Sequence, residues 1–230
     1  MAIGDNLKQI NERIAAAARN AGRDPASVRL VAVSKTQPAA AVMEAARAGQ
    51  GLFGENYVQE LTAKTKDVTA SVEWHFIGHL QSNKVRQLAG FVTMIHSVDR
   101  LSLAEEIDRQ WGKLEKACDV LIEVNLAGEE TKSGTTAAAV LDLVRRVATL
   151  PHVRIRGFMT MPPFFDDPEG ARPYFRELRL LAAEIAAEKV QGVEMAELSM
   201  GMSGDFEVAI AEGATLVRVG TAIFGDRHYP

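Results

Sequence analysis

Short apolar runs alternate with segments of helical spacing along the chain. The runs fall at residues 30–34, 52–54, 73–78, 94–98, 120–125, 155–159, 197–200 and 216–219, each short and sharply bounded enough to be a strand. Between several of them apolar positions recur three and four apart, so 39–48, 101–114, 137–150, 171–190 and 205–212 read as helices. The first of these follows Pro38 and stops at Gly49, which fits the preference for Pro early and Gly late. Ahead of them, Ile3, Leu7, Ile10 and Ile14 line one face of a further helix that Gly22-Arg23-Asp24-Pro25 ends. Such alternation makes parallel strands, because a crossover helix returns the chain to the same edge. Eight units of this kind can close as an α/β fold of the (β/α)8, TIM-type class, with the N-terminal helix as an extra element packed on the barrel exterior. An open doubly wound sheet is the alternative.

Composition narrows the picture. A chain of 230 residues, 47% of them hydrophobic, can fill one large core, and no linker interrupts it, so a single domain over 1–230 is expected. The net charge of −4, with cations scattered among carboxylates, argues against nucleic acid as a partner, which needs a concentrated basic face. No apolar run is long enough for an export signal or a membrane span. Cys118 is the sole cysteine, so no internal disulfide can form, and no Cys/His cluster has zinc spacing. A cytoplasmic protein, with Cys118 a small buried hydrophobe, is the expectation.

Chemistry in a parallel barrel collects at the C-terminal ends of the strands. The first run ends in Lys35, partly desolvated there; desolvation favours the neutral amine, which condenses with an aldehyde. The bland alternative is a lysine that snorkels to the rim. After the seventh run, Ser199-Met200-Gly201-Met202-Ser203-Gly204 precedes a short helix, and Gly220-Thr221 follows the eighth. Small residues there expose backbone N–H groups, and barrels often hold a phosphate in these two loops. Arg218 on the last strand either pairs with a strand-end carboxylate such as Glu123 or donates to a cofactor ring nitrogen. His75, His79 and His96 suit structural hydrogen bonds, since no Ser or Cys nucleophile pattern accompanies them. Glu55, Asp99 and Glu123 are candidate acids whose separation sequence cannot fix. Met159, Met161, Phe164 and Phe165 read as packing near the rim, and Lys84-Val85-Arg86 as a solvated helix face.

Several longer segments carry a resemblance. Val31-Ala32-Val33-Ser34-Lys35-Thr36, Phe53-Gly54-Glu55-Asn56-Tyr57-Val58-Gln59-Glu60, Trp74 to Lys84, Leu198 to Ser203 and Val217 to Gly225, in that order, resemble the pyridoxal phosphate homeostasis protein family. The resemblance implies an alanine racemase N-terminal-domain-like barrel with pyridoxal 5′-phosphate as cofactor, held as a Schiff base on Lys35. It implies a phosphate near Ser199, Gly201, Gly220 and Thr221, Arg218 facing the pyridine nitrogen and Asn56 near the cofactor. The family is regarded as carrying and regulating vitamin B6 and amino-acid balance, with no firmly assigned reaction; apo PLP-dependent enzymes would be the receivers. Arg only donates, so the ring nitrogen stays unprotonated and the ring is a weak electron sink. The racemase architecture adds a tyrosine from a second domain. This chain runs to Tyr229-Pro230 just after the last barrel unit, and Tyr57 and Tyr174 sit at no motif for that role. The expectation is a monomer with an open cofactor face, Lys35 as its one candidate base, and binding without efficient catalysis. A slow amino-acid racemase or a Schiff-base aldolase is the alternative.

Overall fold

The computed structural model describes residues 2–129 and 133–225; the Tyr229-Pro230 end lies outside them. Eight strands, β1 (Arg29–Val33), β2 (Leu52–Glu55), β3 (Glu73–Phe76), β4 (Val92–Val98), β5 (Cys118–Glu123), β6 (Val153–Met159), β7 (Glu197–Ser199) and β8 (Leu216–Val219), form a closed parallel barrel in sequence order. Pairing of Arg29 to Ala32 with Leu216 to Val219 joins the last strand to the first, which rules out the open sheet.

The period of two along each strand sorts the core into layers. Val31, Leu52, Met94, Leu121, Met159 and Leu216 point inward and fill the barrel. Their neighbours, among them Leu30, Ala32, Phe53, Ile95, Val120, Ile122, Val217 and Val219, point outward into the larger core beneath the helices. Two residues beyond Met94, Leu121 and Leu216, on the same inner face, stand His96, Glu123 and Arg218, all buried. The interior therefore turns from apolar to polar as it nears the C-terminal mouth.

The outer ring is formed by α1 (Ile3–Asn20), α2 (Ala39–Arg47), α3 (Val58–Asp67), α4 (Leu101–Gly112), α5 (Val140–Val147), α6 (Arg172–Ala187), α7 (Phe206–Ala211) and α8 (Thr221–Phe224). α1 buries Leu7, Ile10, Ile14 and Ala18, chiefly against α7 and α8, so it seals the helical ring beside the β8–β1 seam. The β3–β4 crossover is a 3-10 helix, Ser82–Gln87, in which Val85 is buried while Arg86 faces out. Lys84-Val85-Arg86 is thus one turn of that connection rather than an α-helical face. No helix among the described residues is long and apolar enough to cross a membrane.

Candidate cofactor site

A pocket of about 360 Å³ opens at the C-terminal mouth, on the side of β1, β6, β7 and β8, within the size range of small-ligand sites. Lys35, Asn56 and Arg218 line it, with Ser203, Gly204, Asp205, Gly220 and Thr221 from the last two loops. Its outer wall is apolar, from Met161, Pro163, Phe164, Phe165 and Met202. Phe164 is 85% exposed and Met161 42%, so both stand out from the rim, whereas Met159 is fully buried and Phe165 packs on the core and stacks on Tyr174. The backbone N–H groups of Ser203, Gly204, Thr221 and Ala222 have no partner among the described residues, which leaves donors free where the two loops meet. The Asn56 Oδ1 is likewise buried without a partner.

Beneath the pocket, Arg218 is fixed by a buried polar chain. Its guanidinium donates to Ser199 Oγ at 2.6 Å and to the Thr160 carbonyl at 3.0 Å. Ser199 Oγ lies 2.9 Å from His96 Nδ1, and His96 Nε2 lies 2.8 Å from His75 Nδ1. Arg218 can only donate, so Ser199 accepts from it and turns its own hydrogen to His96, which then donates from Nε2 to His75. Both imidazoles are neutral: burial lowers His75 to about 3 and holds His96 well below its ordinary value. Burial also lowers Arg218 to about 10, leaving it cationic at neutral pH. Glu123 makes no contact bond to it and acts through space; burial, with Asp99 nearby, raises Glu123 to about 7.

Lys35 leaves β1 at a sharp turn. Thr36 adopts φ +63°, a conformation that costs a β-branched residue about 1–3 kcal/mol. The turn is clamped from behind. Glu60 on α3 accepts the Thr36 N–H at 2.6 Å. Lys64, one turn further on, is 5% exposed and donates to the Ser34 carbonyl at 2.5 Å and to Glu55 and Glu60 at 2.6 Å each. Ser34 Oγ donates to Glu55 at 2.7 Å. Burial raises the Glu55 carboxyl, and Lys64 and Ser34 oppose that rise.

Comparison with known proteins places this architecture. Residues 6–228 match the family model described as the alanine racemase N-terminal domain. A pyridoxal phosphate homeostasis protein of Aquifex aeolicus is 47% identical over 228 residues, 98% of each chain. The chain belongs to the pyridoxal phosphate homeostasis protein family. PipY of Synechococcus elongatus, a structure solved with PLP bound, is 38% identical and superposes with a TM-score of 0.85 over 97% of this chain and 100% of its own. Alanine racemase from Corynebacterium glutamicum, 17% identical, shares the barrel at a TM-score of 0.68, covering 97% of this chain and 62% of the enzyme.

Of the residues the sequence singled out in this family member, Lys35, Asn56, Arg218, Gly220 and Thr221 converge on the pocket. Ser199 and Gly201 do not line it. Ser199 spends its hydroxyl on the chain to Arg218. Gly201, at φ +89°, lets the loop cross α7, where a Cβ would lie 2.6 Å from that of Ala209. Ser203 and Gly204 take their places in the lining. Arg218 is held by Ser199 and Thr160, not by an ion pair with Glu123. Asp205 is a titratable group that sequence reasoning missed: it lines the pocket, burial raises its carboxyl, and it accepts the Met202 N–H at 2.6 Å. Lys35 is therefore not the sole group there that can take a proton. Lys64 and Glu60 were also missed; Glu60 lay inside a recognised motif, and Lys64 four residues on is the helical spacing that signals a pair. His75 and His96 make the structural hydrogen bonds expected of them, and His79 Nδ1 meets Ser133 Oγ at 3.0 Å.

Proposed function

We propose that this protein binds pyridoxal 5′-phosphate as a Schiff base on Lys35 and serves vitamin B6 and amino-acid homeostasis as a carrier rather than an efficient enzyme. The observation that carries the reading is the convergence of one lysine, one buried arginine and two loops of unpaired N–H groups on a single pocket. A phosphate suits the donors of Ser203, Gly204 and Thr221. Arg218 suits an unprotonated ring nitrogen, because it donates and takes no proton. The unpaired Asn56 Oδ1 suits a donor group on the ring. PipY, which shares this barrel at 38% identity, was solved with PLP bound.

The linkage forms when the Lys35 amine adds to the aldehyde carbon and a water leaves with the aldehyde oxygen, making one C=N bond. When bound, the cofactor supplies an electron sink, which a guanidinium partner keeps weak. No tyrosine or histidine is among the described lining residues, so a racemase reading would fall to Asp205, held to its loop by the Met202 N–H, as the second base. Delivery of PLP to apo PLP-dependent enzymes from a monomeric, single-domain, cytoplasmic carrier completes the proposal. Two measurements test it. Added PLP should give a Schiff-base absorbance band that Lys35→Ala abolishes; no band in the wild type removes the cofactor claim. Solvent deuterium appearing in added alanine at enzymatic rates would replace the carrier with a racemase.

A further inference from the structure

The linkage proposed for Lys35 requires its amine to be aimed, and the residues on either side of it, Ser34 and Thr36, are both hydrogen-bonded to α3. We infer that Glu60 and Lys64 are positioning residues for Lys35: together they hold the Ser34–Lys35–Thr36 turn in the shape that directs its side chain into the pocket. This rests on the cofactor reading above and adds to it a function for α3.

Three observations carry the inference. The turn contains a left-handed Thr36, a strained shape for threonine, and its own closing bond, Gln37 N–H to the Ser34 carbonyl at 3.0 Å, leaves the Thr36 N–H to be held from outside. Its two backbone groups that face α3 are both taken by that helix, the Thr36 N–H by Glu60 and the Ser34 carbonyl by Lys64. Lys64 then spends its remaining donors on Glu55 and Glu60, so all three ammonium hydrogens are committed to oxygens. The arrangement also separates the two neighbouring lysines by role. Lys35 lines the pocket; Lys64 does not line it and is bound on every donor. An ion cluster of this cost, with Glu55 wholly buried, is not needed to end a strand. It is intelligible as the clamp for one strained turn.

The test uses Glu60→Ala as its main variant, because Glu60 is partly exposed and its loss leaves the Lys64–Glu55 pair intact, whereas Lys64→Met strands a buried carboxylate and can fail to fold. Glu60→Ala should fold cooperatively yet form the Schiff base at least about tenfold more slowly than the wild type, a modest loss for a displaced reacting group. Glu60→Gln, which keeps an oxygen for the Thr36 N–H, should restore the rate to within about twofold. In a Lys35→Ala background, Glu60→Ala should leave the remaining noncovalent PLP affinity unchanged, because it acts through Lys35. Linkage at the wild-type rate in Glu60→Ala, or an equal loss of affinity in both backgrounds, overturns the inference. Should the wild type itself form no linkage, the cofactor reading fails. The clamp is then decided by amide exchange at Thr36 in cofactor-free protein, where faster exchange in Glu60→Ala supports it and equal exchange refutes it.

Discussion

Glu123 sits on the inner face of β5, two residues beyond the apolar Leu121, and burial raises its carboxyl from 4.5 to about 7. Between those values the folded state holds a proton that the unfolded state has released, so stability falls as pH rises through the window. Glu123→Gln removes that loss. The variant should gain up to about 3 kcal/mol over the wild type above pH 7 and little below pH 4.5, read from urea unfolding at a series of pH values. His75 acts in the opposite sense, since its folded value near 3 lies below the ordinary 6.5; its contribution is complete above 6.5 and is lost as pH falls toward 3. Ser199→Ala should cost about 1–3 kcal/mol, because it strands a buried guanidinium N–H and an imidazole nitrogen. At this scale the sequence was legible wherever parity decided. Lys35 and Arg218 are placed by their position at or near a strand end. Ser199 and Gly201 stand behind the pocket lining, because the direction of each residue in a bare loop depends on the path of the loop over α7, which no local pattern states.

Among the elements, β8 was expected at its observed bounds and the other strands shifted by one to two residues, since β-branched and aromatic runs mark strands but not their last hydrogen bond. α3 escaped notice because its exposed face is polar and its buried positions are only Val58, Leu61 and Lys64; a lysine in a core position hides the helical stripe. The four-residue α8 and the 3-10 crossover after β3 are too short to show a period. β6 and β7 depend on a glycine. Gly157 has φ +149°, and a Cβ there would lie 1.8 Å from the Glu197 carbonyl. Gly157→Ala should therefore part the two strands and destabilise the fold by about 3 kcal/mol or more, measurable by thermal or urea unfolding. On α1, Ile14→Ala should cost about 2–4 kcal/mol, because this side chain is 4% exposed against the helical ring.

Over the whole molecule, barrel closure and the polar turn of its interior make the site. The closed β1–β8 pair brings Lys35 from the first strand end beside Arg218, Gly220 and Thr221 from the last. Alternation along the chain is enough to expect eight parallel strands; closure itself is a long-range pairing between the ends of the sequence, which no local pattern carries and which only the motif resemblance implies. The proposed function stands on Lys35, and no other amine, carrying the cofactor. Borohydride reduction of the PLP-loaded protein, followed by peptide mass mapping, tests it most directly. One pyridoxyl group is expected, on Lys35, with the nearby Lys64 unlabelled. A label on Lys64 or spread over surface lysines, with Lys35 unmodified, would contradict it.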